Sequence, residues 1–363
     1  MIKKFSVSGF KNFRGKITMN FDDVKSYPFN QELVTDGIIN IAVIYGKNAI
    51  GKSNFGLALF DIFANFMPSY AFSQDEYYSN YDDTRTPWFE YEFSFGNDHI
   101  VYRYEKGFWQ EMISEYLELN SEVLMSYDVT KEGFDFSGLV ELSPTINLES
   151  WKDLERAPIL SYFMNNSVLK KTHPLVQMKD FVINMIMFRG HDERVFIGRR
   201  RKIYRDFIFD HINEFNSLLK DAEVNIKVRV LEEPDGKKRL YFDTKVPIPF
   251  FDVASNGTKA LYNFFYWYKT VQKMSLMYID EFDAFYHFEL AETILNLLKK
   301  LSQCQKIVTS HNTNLLTNRI MRPDCYFILT RDRLVSVANA TERELKEGHN
   351  LEKLYKNGEF DEI

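Results

Sequence analysis

IAVIYGKNAIGKSNF, Ile41 to Phe55, decides the fold. From Ile38 to Tyr45 the chain is a nearly continuous apolar run, the pattern of a strand buried on both faces. A loop with two glycines follows, and then Lys-Ser. Gly46-Lys47-Asn48-Ala49-Ile50-Gly51-Lys52-Ser53 fits GxxxxGK[ST] without a mismatch. The glycines let backbone N–H groups turn inward around phosphate oxygens. A helix starting at Ser53 points its positive end at the same anion. Ser53 to Met67 carries Phe55, Leu59, Phe60, Ile62, Phe63 and Phe66 and no proline, so a buried helix is expected. In this setting Lys52 reaches the β- and γ-phosphates of ATP and Ser53 holds Mg²⁺.

Two further stretches supply matching chemistry. In SLMYIDEFDAF, Ser275 to Ile279 reads as a strand, and Asp280-Glu281 stand at its C-terminal end, where open α/β sheets bind ligands. Asp280 suits support of Mg²⁺ through water, and Glu281 suits a general base acting on the attacking water. In KIVTSHNTNLL, Lys306 to Thr309 is a short strand, and His311 follows it at the same sheet edge, within reach of a γ-phosphate. An acidic loop or a lone histidine after a core strand is common in itself. The order P-loop, acidic pair, histidine is what carries the reading.

Composition sets the outer limits. The chain has 363 residues, 45% hydrophobic and 26% charged, which is globular and more than one compact core requires. With 33 Phe and 21 Tyr, large rings must carry much of the core. The net charge of −6 argues against uniform wrapping of nucleic acid. Two cysteines, Cys304 and Cys325, suggest neither a disulfide framework nor a zinc site and fit a reducing cytoplasm. No apolar run reaches the ~18 residues of a membrane span, and the N-terminus lacks a signal-type apolar stretch.

Along the chain, residues 1 to 20 alternate like a hairpin that opens a sheet. From Pro87, FEYEFSF, a GND turn and HIVYRYEKG form a second hairpin, and strand-like pieces continue to about Thr145. Leu154 to Arg189 reads as mostly helical, broken at Pro158 and Pro174. His211 to Lys220 is a helix, and VNIKVRVLEEPDGKKRLYFDTKV is a hairpin turned at PDG. The order then becomes helix, strand, helix, strand, strand, as in an α/β core. The expected architecture is therefore an α/β P-loop fold whose nucleotide-binding lobe is split. Residues 1–68 and 245–345 form it, 69–244 are an inserted lobe of β-hairpins and helices, and 346–363 are a C-terminal tail.

The motifs together resemble an ABC-type ATPase of the SMC/RecF/OLD branch. FSVSGFKNFRG resembles that branch's first strand and turn, and GKNAIGKSN its P-loop, with Asn48 and Asn54 in familiar places. DEFDAFYH resembles its Walker B segment and D-loop, and TSHNTNLL its switch-histidine loop. VASNGTKAL falls where the signature motif belongs and keeps a serine and one glycine, Ser255 and Gly257. Read locally, this stretch is a plain helix N-cap. Read through the resemblance, Ser255 meets the γ-phosphate held by a second subunit, which implies a head-to-tail ATP sandwich and leaves room for higher oligomers. RELKEGHNLEKLYKNGEF resembles the ending of the prokaryotic AAA-type ATPase/GTPase family that includes RloA. That resemblance implies a role in anti-phage defence, with an effector from a neighbouring gene and a nucleic acid or phage protein as trigger.

Other readings stand beside it. A RecF-like repair ATPase also lacks long coiled-coil arms. An OLD-like nuclease needs a further domain, and the roughly fifty residues after His311 are too few for one. Gln74, in AFSQDEYYSN, is the first glutamine after the P-loop helix and a weak candidate for a Q-loop. Arg194, Arg199, Arg200, Arg201, Lys202 and Arg205 form a basic cluster that suits nucleic acid backbone, a partner's acidic face or a solvated helix face.

Overall fold

The computed structural model describes residues 1–67, 86–107, 110–131, 133–152, 157–189, 195–198, 205–270, 274–284 and 286–360. Gln74 and, apart from Arg205, the basic cluster lie outside these residues. Among the described residues, no helix is long and apolar enough to cross a membrane.

The apolar runs assemble into a seven-stranded sheet. Its order is Val195–Ile197, Met185–Arg189, Leu276–Asp280, Gln305–Thr309, Ile41–Tyr45, Tyr326–Leu329 and Leu334–Ser336. The five inner strands run parallel, and each edge strand is antiparallel to its neighbour. Every residue of Ile41–Tyr45, Leu276–Asp280 and Gln305–Thr309 is buried, as continuous apolar strands covered on both faces must be. Because these strands are parallel neighbours, their C-terminal ends open on one edge. That edge receives the P-loop, Asp280-Glu281 and Ser310-His311.

A six-stranded antiparallel sheet lies across the P-loop helix. Its order is Ile17–Asn20, Ile2–Ser8, Trp88–Phe95, Asp98–Lys106, Met112–Leu119 and Glu122–Asp128. Phe55 of the helix meets Phe5 edge-on at 5.4 Å on this side. On the other side, Gly56 lies against Tyr278 of the Leu276–Asp280 strand.

Three expectations change. The helix after the P-loop is two segments, Lys52–Leu59 and Asp61–Phe66, separated at Phe60. Tyr91 from the antiparallel sheet donates its hydroxyl to the carbonyls of Ala58 (3.0 Å) and Leu59 (3.3 Å), which satisfies acceptors at the end of the first segment.

Met185–Arg189 is not helical. It is a parallel strand paired with Leu276–Asp280, and the helices of this region are Ile159–Asn166 and Pro174–Ile183. MIMF is a short apolar run, which looks the same as the end of a buried helix when only periodicity is read.

The segment 69–244 also contributes strands to both large sheets: Trp88–Phe95 pairs with Ile2–Ser8, and Met185–Arg189 joins the parallel sheet. The borders drawn at 68/69 and 244/245 therefore do not coincide with sheet borders. In the tail, Leu351 and Phe360 are buried in the common core.

Candidate active site

The strand-to-helix turn at Gly46–Ser53 takes its shape from backbone conformations that side chains resist. Gly51 has φ +111°, and a Cβ there would lie 2.5 Å from Asn12 Nδ2. Asn12, from the turn after the first strand, clamps the loop. Its Nδ2 donates to Ile50 O (2.8 Å), and its Oδ1 accepts from Asn54 Nδ2 (2.6 Å). Ala49 and Glu281 also have positive φ, +59° and +50°, so two non-glycine residues at this edge hold strained backbone.

Lys52 begins the helix and is 6% exposed. Its ammonium donates to the loop carbonyls of Gly46 (2.9 Å) and Lys47 (3.3 Å). Burial lowers its pKa, while Asp280, Glu281 and Asp283 pull the other way. Ser53, one residue on, donates its hydroxyl to Asp280 Oδ2 at 2.6 Å. The other oxygen of Asp280 accepts from Thr309 Oγ1 (2.8 Å), and the same hydroxyl accepts from the Glu281 N–H (2.8 Å). Three loops are thereby tied together through one carboxylate.

These groups line a cavity of about 850 Å³. Its walls include Asn48, Gly51, Lys52, Ser53, Asn54, Asp280, Glu281 and His311. His311 is exposed at the rim, and its pKa is lowered, first by desolvation and then by the charge of Lys52. Gly46 lies behind the loop, where a Cβ would strike the carbonyl oxygen of Leu329 at 2.8 Å.

Ser255 and Gly257 do not line this cavity. Ser255 Oγ accepts from the Thr258 N–H at 3.2 Å, at the start of the Asn256–Thr270 helix, which is the N-cap arrangement that the local sequence allowed. Ser255 is exposed. Arg205, the described member of the basic cluster, stands 4.0 Å over the Phe251 ring.

Asn12, Thr309, Asp283 and Tyr286 went unnoticed in the sequence. Asp283 and Tyr286 line the cavity. Asp283 belongs to DEFDAF, where a third carboxylate three residues after Asp280 was the available signal. Desolvation raises the Asp283 carboxyl, and a hydrogen bond from Ser310 opposes it.

The residues present suit Mg²⁺. A hydroxyl and a carboxylate oxygen stand 2.6 Å apart beside a buried lysine at a helix N-terminus, a hard oxygen donor set that leaves the remaining positions to phosphate and water. Ser53 and Asp280 would hold the ion.

The chain's residues 41–317 match the sequence profile of a family described as "AAA domain, putative AbiEii toxin, Type IV TA system". The chain belongs to that family. The match takes in the P-loop, the acidic pair and His311, so the AAA-domain family and the cavity concern the same residues. No protein of curated function matches the chain.

Among solved structures, an SMC head bound to the C-winged helix domain of ScpA aligns at 15% identity and TM-score 0.48, covering 92% of this chain and 97% of its own. The SMC head domain from Thermotoga maritima aligns at 16% and 0.46, covering 92% and 98%. An SMC head with an extended coiled coil from Pyrococcus furiosus, bound to the C-terminal domain of ScpA, aligns at 14% and 0.48, covering 98% of each chain.

Proposed function

We propose that the chain binds and hydrolyses ATP with Mg²⁺ in this cavity and uses the cycle as a conformational switch in a prokaryotic anti-phage system in the cytoplasm. The observation that carries the ATPase reading is the 2.6 Å bond from Ser53 to Asp280, which joins the P-loop to the acidic pair inside one cavity.

The roles follow from position. The P-loop N–H groups and Lys52 take the phosphate oxygens, the lysine exchanging its present carbonyl acceptors for them. Ser53 and Asp280 would hold Mg²⁺, which would supply neutralisation of the phosphate charge. Glu281 accepts a proton from water as the water oxygen bonds to the γ-phosphorus. The bond between that phosphorus and the bridging oxygen breaks, and ADP leaves with its electron pair. His311 steadies the γ-phosphate. Ser255, exposed at a helix start, and the partly exposed Gly257 do not line the chain's own cavity and suit contact with ATP held by a second copy.

The defence role rests on the resemblance of the C-terminal segment to the RloA-containing family, while the matching family's description names a putative toxin of a type IV toxin–antitoxin system. A separately encoded effector, such as a nuclease, would be held or released as the ATP state changes. The same wording favours a second reading, in which this chain is itself the toxic component.

Phage challenge of a host carrying the gene with its neighbours tests both. The effector reading expects protection that requires Lys52 and the neighbouring gene together. Growth arrest caused by this chain alone, relieved by the neighbour, favours the toxin reading. A host that shows no protection and no growth arrest contradicts the defence role.

A further inference from the structure

Beyond the ends of the Leu276–Asp280 and Gln305–Thr309 strands, hydrogen bonds continue between the two loops that carry Glu281 and His311. Thr309 Oγ1 donates to Asp280 Oδ1, and the Glu281 N–H donates to Thr309 Oγ1. The Phe282 N–H donates to Thr309 O at 3.2 Å. The series ends in side chains: Ser310 Oγ donates to Asp283 Oδ2 at 2.5 Å and accepts from the Asn312 N–H at 2.9 Å.

His311 lies between Ser310 and Asn312, which the Ser310 Oγ bond joins, so the backbone on both sides of it is tied to Asp283. Glu281 lies two residues before Asp283 in a left-handed conformation that a glutamate does not favour by itself. A strained residue persists only where its surroundings over-determine it.

We propose that Asp283 is a positioning residue that clamps the Glu281 turn to the His311 loop through Ser310, so that the two groups move as one unit. The inference rests on the ATPase reading for its catalytic consequence, but not for the clamp itself. Asp283 acts through Ser310 and is not assigned a contact with substrate. Its carboxylate suits this work because it takes the single hydroxyl proton of Ser310 and leaves the hydroxyl's lone pairs to accept from the Asn312 N–H. A residue without an acceptor at this place would leave the hydroxyl with one partner instead of two.

The test uses the full chain and two readouts. Wild type, Asp283→Ala, Asp283→Asn and Ser310→Ala are compared by amide hydrogen exchange across residues 310–314 without nucleotide. They are then compared by steady-state ATP turnover and by affinity for a fluorescent ATP analogue. Asp283→Ala and Ser310→Ala are expected to speed exchange in this segment by about tenfold or more, as a local opening made easier. They should lower kcat by about tenfold or more, with analogue affinity within about twofold of wild type. Asp283→Asn keeps an acceptor oxygen and is expected to recover most of both. The double variant should be little worse than either alanine variant, since both cut one link.

Unchanged exchange in both alanine variants overturns the clamp. Faster exchange with unchanged kcat overturns its catalytic consequence. If wild type itself does not hydrolyse ATP, the ATPase reading falls, while the exchange comparison still decides the clamp. Should Asp283→Ala fail to fold, Ser310→Ala carries the same comparison.

Discussion

Ser53 and Asp280 lie 227 residues apart in the chain and 2.6 Å apart in the structure. Asp280 is 1% exposed, and its two oxygens take hydroxyls from different loops, Ser53 and Thr309. A carboxylate held this way organises the sheet edge before any ligand arrives. Replacing Ser53 by alanine removes a charge-assisted bond to a buried carboxylate. Ser53→Ala should cost about 1.5–3 kcal/mol of stability without nucleotide, read by urea unfolding. It should also raise the Mg²⁺ concentration needed for half-maximal ATP turnover.

Gly56 is where the P-loop helix lies closest to the parallel sheet. A Cβ there would meet the Tyr278 ring at 2.6 Å and the end of Met187 at 2.8 Å. Met187 can yield, but Tyr278 is held by its own hydroxyl, which donates to Lys52 O at 2.7 Å. Gly56→Ala gains about 1 kcal/mol of helix propensity and is expected to lose more, about 1–3 kcal/mol, to overpacking. The net prediction is a destabilised protein with weaker ATP binding, checked by thermal unfolding and analogue titration.

Between the P-loop helix and the antiparallel sheet lies a buried ion pair. Lys106 Nζ reaches Asp61 Oδ2 at 2.8 Å, and Tyr104 donates to the same oxygen at 2.7 Å. Both charged side chains are almost fully enclosed. Lys106→Met removes the cationic partner of the buried Asp61, at a cost of about 3–5 kcal/mol. Combining it with Asp61→Leu should return much of that loss, because the pair's desolvation disappears with its attraction. Denaturant midpoints of the two variants check this, and a double variant no better than the single would contradict it.

Glu115 provides a pH signature outside the cavity. Its oxygens accept from the Ile159 N–H (2.7 Å), the Leu160 N–H (3.0 Å) and Tyr102 Oη (2.8 Å). Desolvation nevertheless dominates and raises its pKa from 4.5 to about 7. In this window the folded state holds the proton more tightly than the unfolded state. Stability should therefore fall as pH rises from about 4.5 to about 7 and level off above that, a contribution of about 3 kcal/mol. Glu115→Gln should remove this slope while costing some baseline stability, because one backbone amide loses its acceptor. Unfolding free energies measured at several pH values would show it.

How far the sequence could be read depended on whether a residue acts through local spacing or through contact at a distance. Lys52, Ser53, Asp280 and Glu281 announce themselves because they follow apolar strands with fixed loop chemistry, and the cavity brings them together. Asn12 does not. Its role lies in two hydrogen bonds to a loop about forty residues on, which no local pattern encodes. Met185–Arg189 was hidden for another reason, since a short strand whose residues Met185 to Phe188 are all buried has neither a period of two nor one of 3.6 to reveal it. FEYEFSF was legible as a strand, but its pairing with Ile2–Ser8 joins segments far apart in the chain, and only the fold displays it.

The central claim is that ATP binding and hydrolysis at this cavity drive a change of assembly. Mass photometry of wild type, Lys52→Ala and Glu281→Gln, each with and without Mg-ATP, tests it most directly. Glu281→Gln is expected to accumulate a dimer or larger species with ATP, wild type to form it transiently, and Lys52→Ala to stay at its nucleotide-free mass. A mass that does not respond to ATP in any of the three, or a Glu281→Gln protein that hydrolyses ATP at the wild-type rate, would contradict the account.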